Sequence, residues 1–248
     1  MAYGLTKSLD FEFGSAQYAD AGDTVSLSIT GDLTLECWAN FESLPADGDR
    51  RGLMWKWNGT NQRSYAFHLR NSGGTYQLNG QASSNGTADA GFFDDVVVNW
   101  TPSVDTWYHL ALSIDPGVTS AFKFYVNGAQ QGSTQTGVIT GIFDGTSPFQ
   151  ISENSGGIYM DGEISLVRVW SVIRTEEEIA ANMCNVFGGA ETNMAAEWSL
   201  DDVLTDASGN GNTLTAVNSP AFVSNVPATC TVVVGGRDAR HLTLLGVG

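Results

Sequence analysis

Apolar and polar residues alternate along most of the chain up to Trp170. In the segment 33–41 every odd-numbered position is apolar, which is the pattern of a strand with one face buried. Similar patterns predict further strands at 64–69, 75–78, 96–100, 107–114 and 122–126. Asn127-Gly128 follows the last of these directly, and this dipeptide readily adopts the positive φ angles of a tight hairpin turn. Because no helical pattern separates successive strands, we predict antiparallel sheets packed as a sandwich.

One short helix is predicted near residues 175–184. Thr175 is suited to be its N-cap, and Glu178, three residues later, completes a capping box. Glu176 and Glu177 fall in the first turn, where the helix dipole favours negative charge. We therefore assign these glutamates to helix initiation rather than to acid–base chemistry. Beyond the helix, the pattern predicts a strand at 195–200, a polar loop at 206–212 and a short strand at 213–215.

The chain changes character near residue 222, where Pro220 and Pro227 interrupt it and a β pattern returns at 231–234. Apolar residues so near a terminus would be poorly satisfied if they hung free in water. We expect two parts, a β domain over residues 1–222 and a C-terminal extension over residues 223–248. The extension is expected to dock on its own domain or to act as an assembly segment on a neighbouring chain.

The composition agrees with a β domain and excludes several kinds of partner. The 248 residues are 42% hydrophobic and 15% charged, which gives enough apolar surface for one large domain. The formal net charge is −16, so the chain lacks the basic surface that nucleic acids and anionic membranes require. Cations, neutral glycans and other proteins are compatible with this charge.

The sequence shows neither a membrane span nor a signal peptide. No apolar run approaches the length that crosses a bilayer, and the first residues lack the basic-then-apolar order of an export signal. We therefore expect no membrane insertion. Cys37, Cys184 and Cys230 lack metal-binding spacing. Three reduced and mostly buried thiols are the favoured interpretation, and a Cys184–Cys230 disulfide is the alternative.

Five sequence motifs, four of which consist of two segments, lie between residues 8 and 217. They are SLDF and QYA within 8–19, LTLECW at 33–38, WYHLA at 107–111 with YVNG at 125–128, DGEI at 161–164 with VRVW at 167–170, and EWSLD at 197–201 with DASGNGN at 206–212. Together they resemble the laminin-G-like jelly roll of the concanavalin A-like lectin/glucanase superfamily. The resemblance implies an all-β fold, a two-sheet antiparallel jelly-roll sandwich with one short helix near 175–184. It also implies a function that is mostly non-catalytic recognition, although a fold alone does not determine function.

The superfamily includes β-glucanases, which carry two or three acids at alternating positions of one strand. Alternation places carboxylates on one face, about as far apart as a retaining glycosidase needs. Here Asp10-Phe11-Glu12 and Asp161-Gly162-Glu163 are only pairs, and Glu36 stands alone in its strand. The chain also lacks a G-x-S-x-G motif, a phosphate-binding glycine loop and a zinc-ligand cluster. We therefore predict that the chain is not an enzyme and has no catalytic residues.

The polar loop that carries Asp206, Asn210 and Asn212 is the predicted metal site. Its side chains supply hard oxygen ligands, and its glycines allow the chain to wrap around a Ca²⁺ ion. The resemblance implies that such a loop pairs with an aspartate of another strand. Ser165 occupies that position here, and Asp161 is the predicted substitute. The alternative is a calcium-free loop in which Asp206 and Asn210 bond their own backbone.

A glycan-binding surface is predicted at Trp55 and Trp57. Their two-residue spacing places both indoles on one face of a strand, roughly 7 Å apart, where they can stack on successive sugars. Asn58 and Arg63 follow as planar polar partners. Packing between the sheets explains Trp57 equally well and is the favoured interpretation.

The lead functional hypothesis is a virion surface component, either a capsid decoration or a tail adhesin, which also binds glycans. Its partners would be glycans or other protein subunits, in a homo-oligomer or a virion assembly, and its location would be the virion surface or the extracellular space. A stand-alone bacterial carbohydrate-binding lectin and a degenerate glycoside hydrolase are the alternatives.

Overall fold

Two antiparallel sheets stacked face to face form the framework of this computed structural model, which describes residues 4–59, 61–117, 119–153 and 156–228. The predicted all-β sandwich is therefore confirmed. The strands are β1 (Ser8–Phe11), β2 (Tyr18–Gly22), β3 (Leu33–Phe41), β4 (Arg50–Asn58), β5 (Gln62–Ser72), β6 (Thr75–Ser83), β7 (Phe93–Asn99), β8 (Trp107–Asp115), β9 (Ala121–Val126), β10 (Ala129–Thr136), β11 (Phe149–Ile151), β12 (Gly162–Trp170), β13 (Met194–Trp198), β14 (Thr215–Val217) and β15 (Ala221–Val223). The helix α1 spans Glu176–Asn182, and 3₁₀ turns lie at Phe13–Ser15 and Val25–Leu27.

We name the two layers sheet I and sheet II. Sheet I has the strand order β10-β9-β8-β3-β12-β1-β15, with β13 also paired to β12. Sheet II has the order β14-β2-β11-β4-β5-β6-β7. Apolar side chains from both sheets, such as Leu35 and Phe41 of sheet I and Phe67 and Phe149 of sheet II, belong to one buried cluster. This cluster is the core between the layers, so each sheet also has an outer face turned away from it.

Strand β3 has the predicted bounds, but both of its faces are buried. Its odd-numbered residues enter the core, as the alternation predicts. On the other face, the indole Nε1 of Trp38 donates a hydrogen bond to the carbonyl of Met183 at 2.6 Å. The segment after α1 therefore covers the outer face of sheet I. The prediction of a half-buried strand is wrong here, because the covering segment is distant in sequence.

The predicted hairpin turn and helix cap are confirmed. Asn127 and Gly128 link β9 to β10 with φ angles of 51° and 82°. At the start of α1, the Thr175 hydroxyl accepts from the Glu178 N–H at 3.2 Å, and the Glu178 carboxylate accepts from the Thr175 N–H at 3.0 Å. In the described part of the chain, no helix has the length and apolar character to cross a membrane.

The first residues of the predicted C-terminal extension lie on their own domain. Strand β15 pairs with β1 and crosses the predicted boundary at residue 222. The amide of Asn225 donates to the Glu163 carboxylate at 2.7 Å, and its oxygen accepts from the Trp107 indole at 3.1 Å. The predicted strand at 231–234 lies outside the described residues.

The cysteines differ from the favoured interpretation. Cys37 is a free, buried thiol, and burial raises its pKa. Cys184, in contrast, is disulfide-bonded, so the prediction of three reduced thiols is wrong for this residue. Cys230, its partner in the alternative prediction, lies outside the described residues.

Candidate functional site

A cleft opens on the outer face of sheet II. Trp55 and Trp57 of β4 lie on this face, where they form a cluster of their own with Ala66. Met54, the residue directly before Trp55, belongs instead to the core cluster. The two indoles therefore share one face, as their spacing predicts. The favoured interpretation, that Trp57 packs between the sheets, is wrong.

A bulge in β4 brings Arg50 to the same cleft. The register of β4 on β5 shifts between Gly52 and Met54, which leaves Leu53 as an extra residue. One extra residue reverses the alternation of side chains along a strand. Arg50 and Trp55 are an odd number of positions apart, yet both line the cleft. Sequence alternation alone would place them on opposite faces.

Neighbouring side chains cover both indoles. Trp55 is 1% exposed and Trp57 is 8% exposed. The imidazole of His68 stacks on Trp55, with 4.7 Å between the ring centroids and 11° between the planes. Phe93 packs against Trp57 with its centroid 5.6 Å away. The indoles thus line the cleft without presenting open faces, so the expectation of exposed aromatic platforms is wrong.

The cleft combines aromatic surface with positive charge. It has a volume of about 230 Å³ and is lined by Arg50, Trp55, Trp57, Arg63, Gln81, Ala88, Phe93 and Ile158. The guanidinium carbon of Arg63 lies 5.6 Å from the Trp57 ring centroid, which is within the range of a cation–π contact. Within the described residues, neither cleft arginine forms an ion pair.

The charge of this region also acts on His68. Burial lowers the pKa of His68 well below 6.5, and the positive charges of Arg50 and Arg70 lower the pKa further. The imidazole is therefore neutral at pH 7. On a chain with a net charge of −16, the cleft is a locally positive site.

Three of the four predicted glycan-binding residues line this cleft. They are Trp55, Trp57 and Arg63. The fourth, Asn58, is exposed at the end of β4 and is not among the described residues that line it. The spacing of residues in the sequence thus predicted the part of the site that β4 and the start of β5 provide.

Sequence reasoning missed the residues that come from other segments. Gln81 reaches the cleft because Ala66 lies opposite Trp55 on one side and opposite Gln81 on the other. Phe93 begins β7, and Ile158 lies in the segment before β12. These residues meet in the cleft only because of the pairing register of the strands and the path of the segments between them. No local sequence pattern predicts the register or the path.

The predicted metal loop is held by its own hydrogen bonds. Oδ1 of Asp206 accepts from the backbone N–H groups of Glu197 and Ser208, at 3.1 and 2.9 Å. Oδ2 of Asp206 accepts from the Ser208 hydroxyl at 2.9 Å, and from the backbone and side-chain N–H groups of Asn212 at 3.0 Å each. The amide of Asn210 donates to carbonyls of β13. Backbone bonds of this kind are part of the alternative prediction, and calcium binding at this loop stays a prediction.

Asp161, the predicted fourth ligand, lies apart from this loop. Its carboxylate accepts from the Phe13 N–H at 3.1 Å and from the Ser43 hydroxyl, beside the start of β12. Asp206 bonds instead to β13, which pairs with the far end of β12. The structure therefore brings Asp206, Asn210 and Asn212 together and leaves Asp161 elsewhere.

A cluster of buried ionisable groups in sheet I has a structural role. The Glu36 carboxylate lies 3.3 Å from the Arg168 guanidinium and 3.4 Å from His109 Nε2, and it accepts from the Trp170 indole at 2.6 Å. Burial alone would raise its pKa, but the Arg168 charge, the neighbouring His109 and the hydrogen bond from Trp170 lower the pKa of Glu36 to about 2. None of the four lines the cleft.

A family profile described as the Concanavalin A-like lectin/glucanases superfamily, of the laminin G type, matches residues 13–180. This chain belongs to that superfamily. The match covers most of sheets I and II and the start of α1, and it confirms the resemblance drawn from the motifs. No curated protein is significantly similar to the chain.

Solved structures with the superfamily fold extend the comparison. A candidate carbohydrate binding protein from Bacteroides ovatus has a TM-score of 0.70 and 22% identity over 90% of this chain and 60% of its own. A SAP-like pentraxin from Limulus polyphemus has a TM-score of 0.55 and 14% identity over 87% of this chain and 97% of its own. Tailspike protein 2 from an Escherichia coli O157:H7 bacteriophage has a TM-score of 0.51 and 14% identity over 82% of this chain and 30% of its own. This chain thus spans less than two thirds of the first of these proteins, and all three likenesses show the fold alone.

Proposed function

We propose that this chain is a non-catalytic carbohydrate-binding domain and that the cleft of sheet II is its binding site. The observation that carries the proposal is the pair of cleft arginines, Arg50 and Arg63, which lie beside two indoles with no ion-pair partner among the described residues. Protein sites for sugars combine aromatic side chains with a few polar groups that fix orientation. The fold shared with a candidate carbohydrate binding protein supports the same function.

The two arginines define the ligand class as an acidic sugar. A guanidinium group binds carboxylate or sulfate oxygens through a planar fork of N–H donors. The Gln81 amide adds a neutral hydrogen-bonding group to the same wall. The volume of about 230 Å³ suits one sugar unit with an acidic substituent rather than a long oligosaccharide.

The composition of the cleft supports binding without hydrolysis. Glycoside hydrolysis in most families requires a pair of carboxyl groups flanking the scissile bond. The cleft-lining residues that the structure describes include no aspartate and no glutamate. A degenerate glycoside hydrolase is therefore the less favoured alternative, and detectable hydrolysis of an acidic glycan would restore it.

A glycan array followed by calorimetric titration with the best binder tests this proposal. We expect acidic sugars to bind, and Arg63→Gln to weaken their binding at least tenfold. Lys123→Gln removes the same charge from β9 of sheet I and should leave binding unchanged. Absence of binding to every acidic glycan, or equal affinity in Arg63→Gln, would contradict the cleft as an acidic-sugar site.

For the biological setting, we propose a virion surface component, either a capsid decoration or a tail adhesin, located on the virion or outside the cell. The fold shared with a phage tailspike protein supports this setting. Immunogold labelling of purified virus particles with antibodies against this protein tests it. Labelled particles are expected, whereas label confined to bacterial cells would favour the stand-alone lectin.

A further inference from the structure

Oxygen-bearing side chains gather on the outer face of sheet I, away from the cleft. Asp10 of β1 lies opposite Glu163 of β12, and Glu163 lies opposite Asn40 of β3. Side chains opposite one another on the same face of a sheet are neighbours, with Cβ atoms roughly 5 Å apart. Glu12 and Glu42 follow two residues after Asp10 and Asn40, so they share this face. We name these five residues the oxygen patch.

Three carboxylates of the patch converge closely. One oxygen from each of Asp10, Glu12 and Glu42 lies within 4.8 Å of the other two. Oxygens that bind one Ca²⁺ ion at about 2.3–2.6 Å can be about 5 Å apart across the ion. The three carboxylates therefore already have a spacing that one such ion can bridge.

Buried acceptors of the patch lack donors. Asp10 Oδ1, Asn40 Oδ1 and Glu163 Oε2 are buried, and no described group donates a hydrogen bond to them. Asn40 is only 2% exposed and Glu163 only 5% exposed. A buried acceptor without a donor destabilises the folded state, so unpartnered acceptors on adjacent strands require an explanation.

Repulsion within the patch is also uncompensated. The carboxyl group of Glu42 lies near the negative charges of Asp10, Glu163 and Glu12 in the patch and of Asp161 beside it. Within the described chain, no lysine or arginine forms an ion pair with any of these carboxylates. A bound cation would both relieve the repulsion and satisfy the empty acceptors.

We propose that the oxygen patch is a binding site for Ca²⁺. The converging carboxylates of Asp10, Glu12 and Glu42 are the centre of a hard-oxygen donor set, with Glu163 and Asn40 on the paired strands beside them. Ca²⁺ takes six to eight such ligands, and water completes the shell. Buried Glu163 and Asn40 form the floor, whereas exposed Glu12 and Glu42 form the rim through which an ion enters. Mg²⁺ demands stricter octahedral geometry and gives up its water reluctantly, so it fits this set less well.

The site also touches the start of the C-terminal extension. The Asn225 amide donates to Oε1 of Glu163 at 2.7 Å, while Oε2 of the same carboxylate is one of the unpartnered acceptors. A cation on Oε2 would fix the carboxylate that holds Asn225. Calcium is therefore expected to strengthen the docking of residues 223–228.

Titration of the EDTA-treated full-length protein with calcium chloride, by calorimetry and by thermal unfolding, tests the proposal. We expect saturable binding and a Tm that rises with calcium concentration, because a ligand of the folded state stabilises it by linkage. Asp10→Asn and Glu163→Gln should each weaken calcium binding at least tenfold. Both variants reduce the charge repulsion, so they are expected to fold, and their Tm in EDTA checks this.

Two further variants sharpen the result. Asp144→Asn removes one exposed negative charge elsewhere and should leave calcium binding unchanged, and so should Asp206→Asn in the predicted metal loop. No calcium-dependent heat or Tm shift in the wild type at millimolar calcium would overturn the proposal. Loss of binding in Asp206→Asn together with full binding in Asp10→Asn would move the site to the loop. A magnesium-induced Tm shift as large as that of calcium would overturn the choice of ion.

Discussion

The indole of Trp170 donates a 2.6 Å hydrogen bond to the buried carboxylate of Glu36. The same carboxylate faces Arg168, whose guanidinium also donates to the carbonyl of Asn182 at the end of α1. The cluster therefore ties α1 and the segment after it to sheet I. Because these charges are buried, removal of one partner leaves the opposite charge buried without compensation.

Glu36→Gln is expected to destabilise the protein by about 3 kcal/mol, because it leaves the Arg168 charge buried without its counter-ion. Urea unfolding at pH 7 measures the loss. Asp95→Asn is the matched control, since Asp95 is the partly exposed ion-pair partner of Arg70 and should contribute less than about 1 kcal/mol. Equal losses in the two variants would contradict a special role for the buried pair.

The contribution of Glu36 should depend on pH in a defined direction. Its pKa is about 2 in the folded protein, below its ordinary value of 4.5, so the unfolded state binds its proton more readily. The stabilisation is therefore complete above pH 4.5 and is lost as the pH falls from 4.5 towards 2. The difference in unfolding free energy between wild type and Glu36→Gln should narrow over this range. A difference that stays constant down to pH 2.5 would show that the charge of Glu36 is not its source.

Asp206→Ala is expected to lower stability by about 2–4 kcal/mol, because its carboxylate accepts hydrogen bonds from Glu197, Ser208 and Asn212. The loss should be the same in EDTA and in calcium, since the loop provides its own donors. Urea unfolding under both conditions measures it. If calcium stabilised the wild type and not the variant, the loop itself would be a calcium site.

Gly52→Ala should disturb the cleft. A Cβ atom at Gly52 would lie 2.2 Å from the Ser152 carbonyl oxygen and 2.8 Å from that of Ile158, so the segment over β4 must move. We expect a loss of about 2 kcal/mol and a weaker affinity for the acidic sugar, because Ile158 lines the cleft. Gly141→Ala is the control, since its nearest neighbour would be 3.6 Å away. Unchanged stability and affinity in Gly52→Ala would show that this segment yields without cost.

Features encoded by adjacent residues could be predicted from the sequence. The bounds of β3, the turn at Asn127-Gly128 and the capping box of Thr175 and Glu178 each depend on a few neighbouring side chains. Their conformations follow from local sterics and local hydrogen bonds. Long-range packing agrees with these preferences and does not change them.

Features set by long-range pairing could not be predicted in the same way. The bulge at Leu53 places Arg50 on the face of β4 that lines the cleft, and no local sequence pattern predicts this bulge. Likewise, each of the acid pairs Asp10–Glu12 and Asp161–Glu163, considered alone, has too few carboxylates to predict a site. They become neighbours only because β1 pairs with β12, a contact between segments that are distant in sequence.

Lys56→Met is expected to cost about 3 kcal/mol, although methionine has a similar size. The buried Lys56 ammonium donates to Asp23 at 2.6 Å and to the carbonyls of Gly145 and Ser147 at 2.8 Å each. The variant leaves both carbonyls without this donor, whereas Asp23 is partly exposed and regains water. Asp23→Asn should therefore cost less than Lys56→Met, which urea unfolding of both variants measures. The opposite order would place the stabilisation in the ion pair rather than in the carbonyls, and hydrogen exchange at 145–147 would then stay at the wild-type rate.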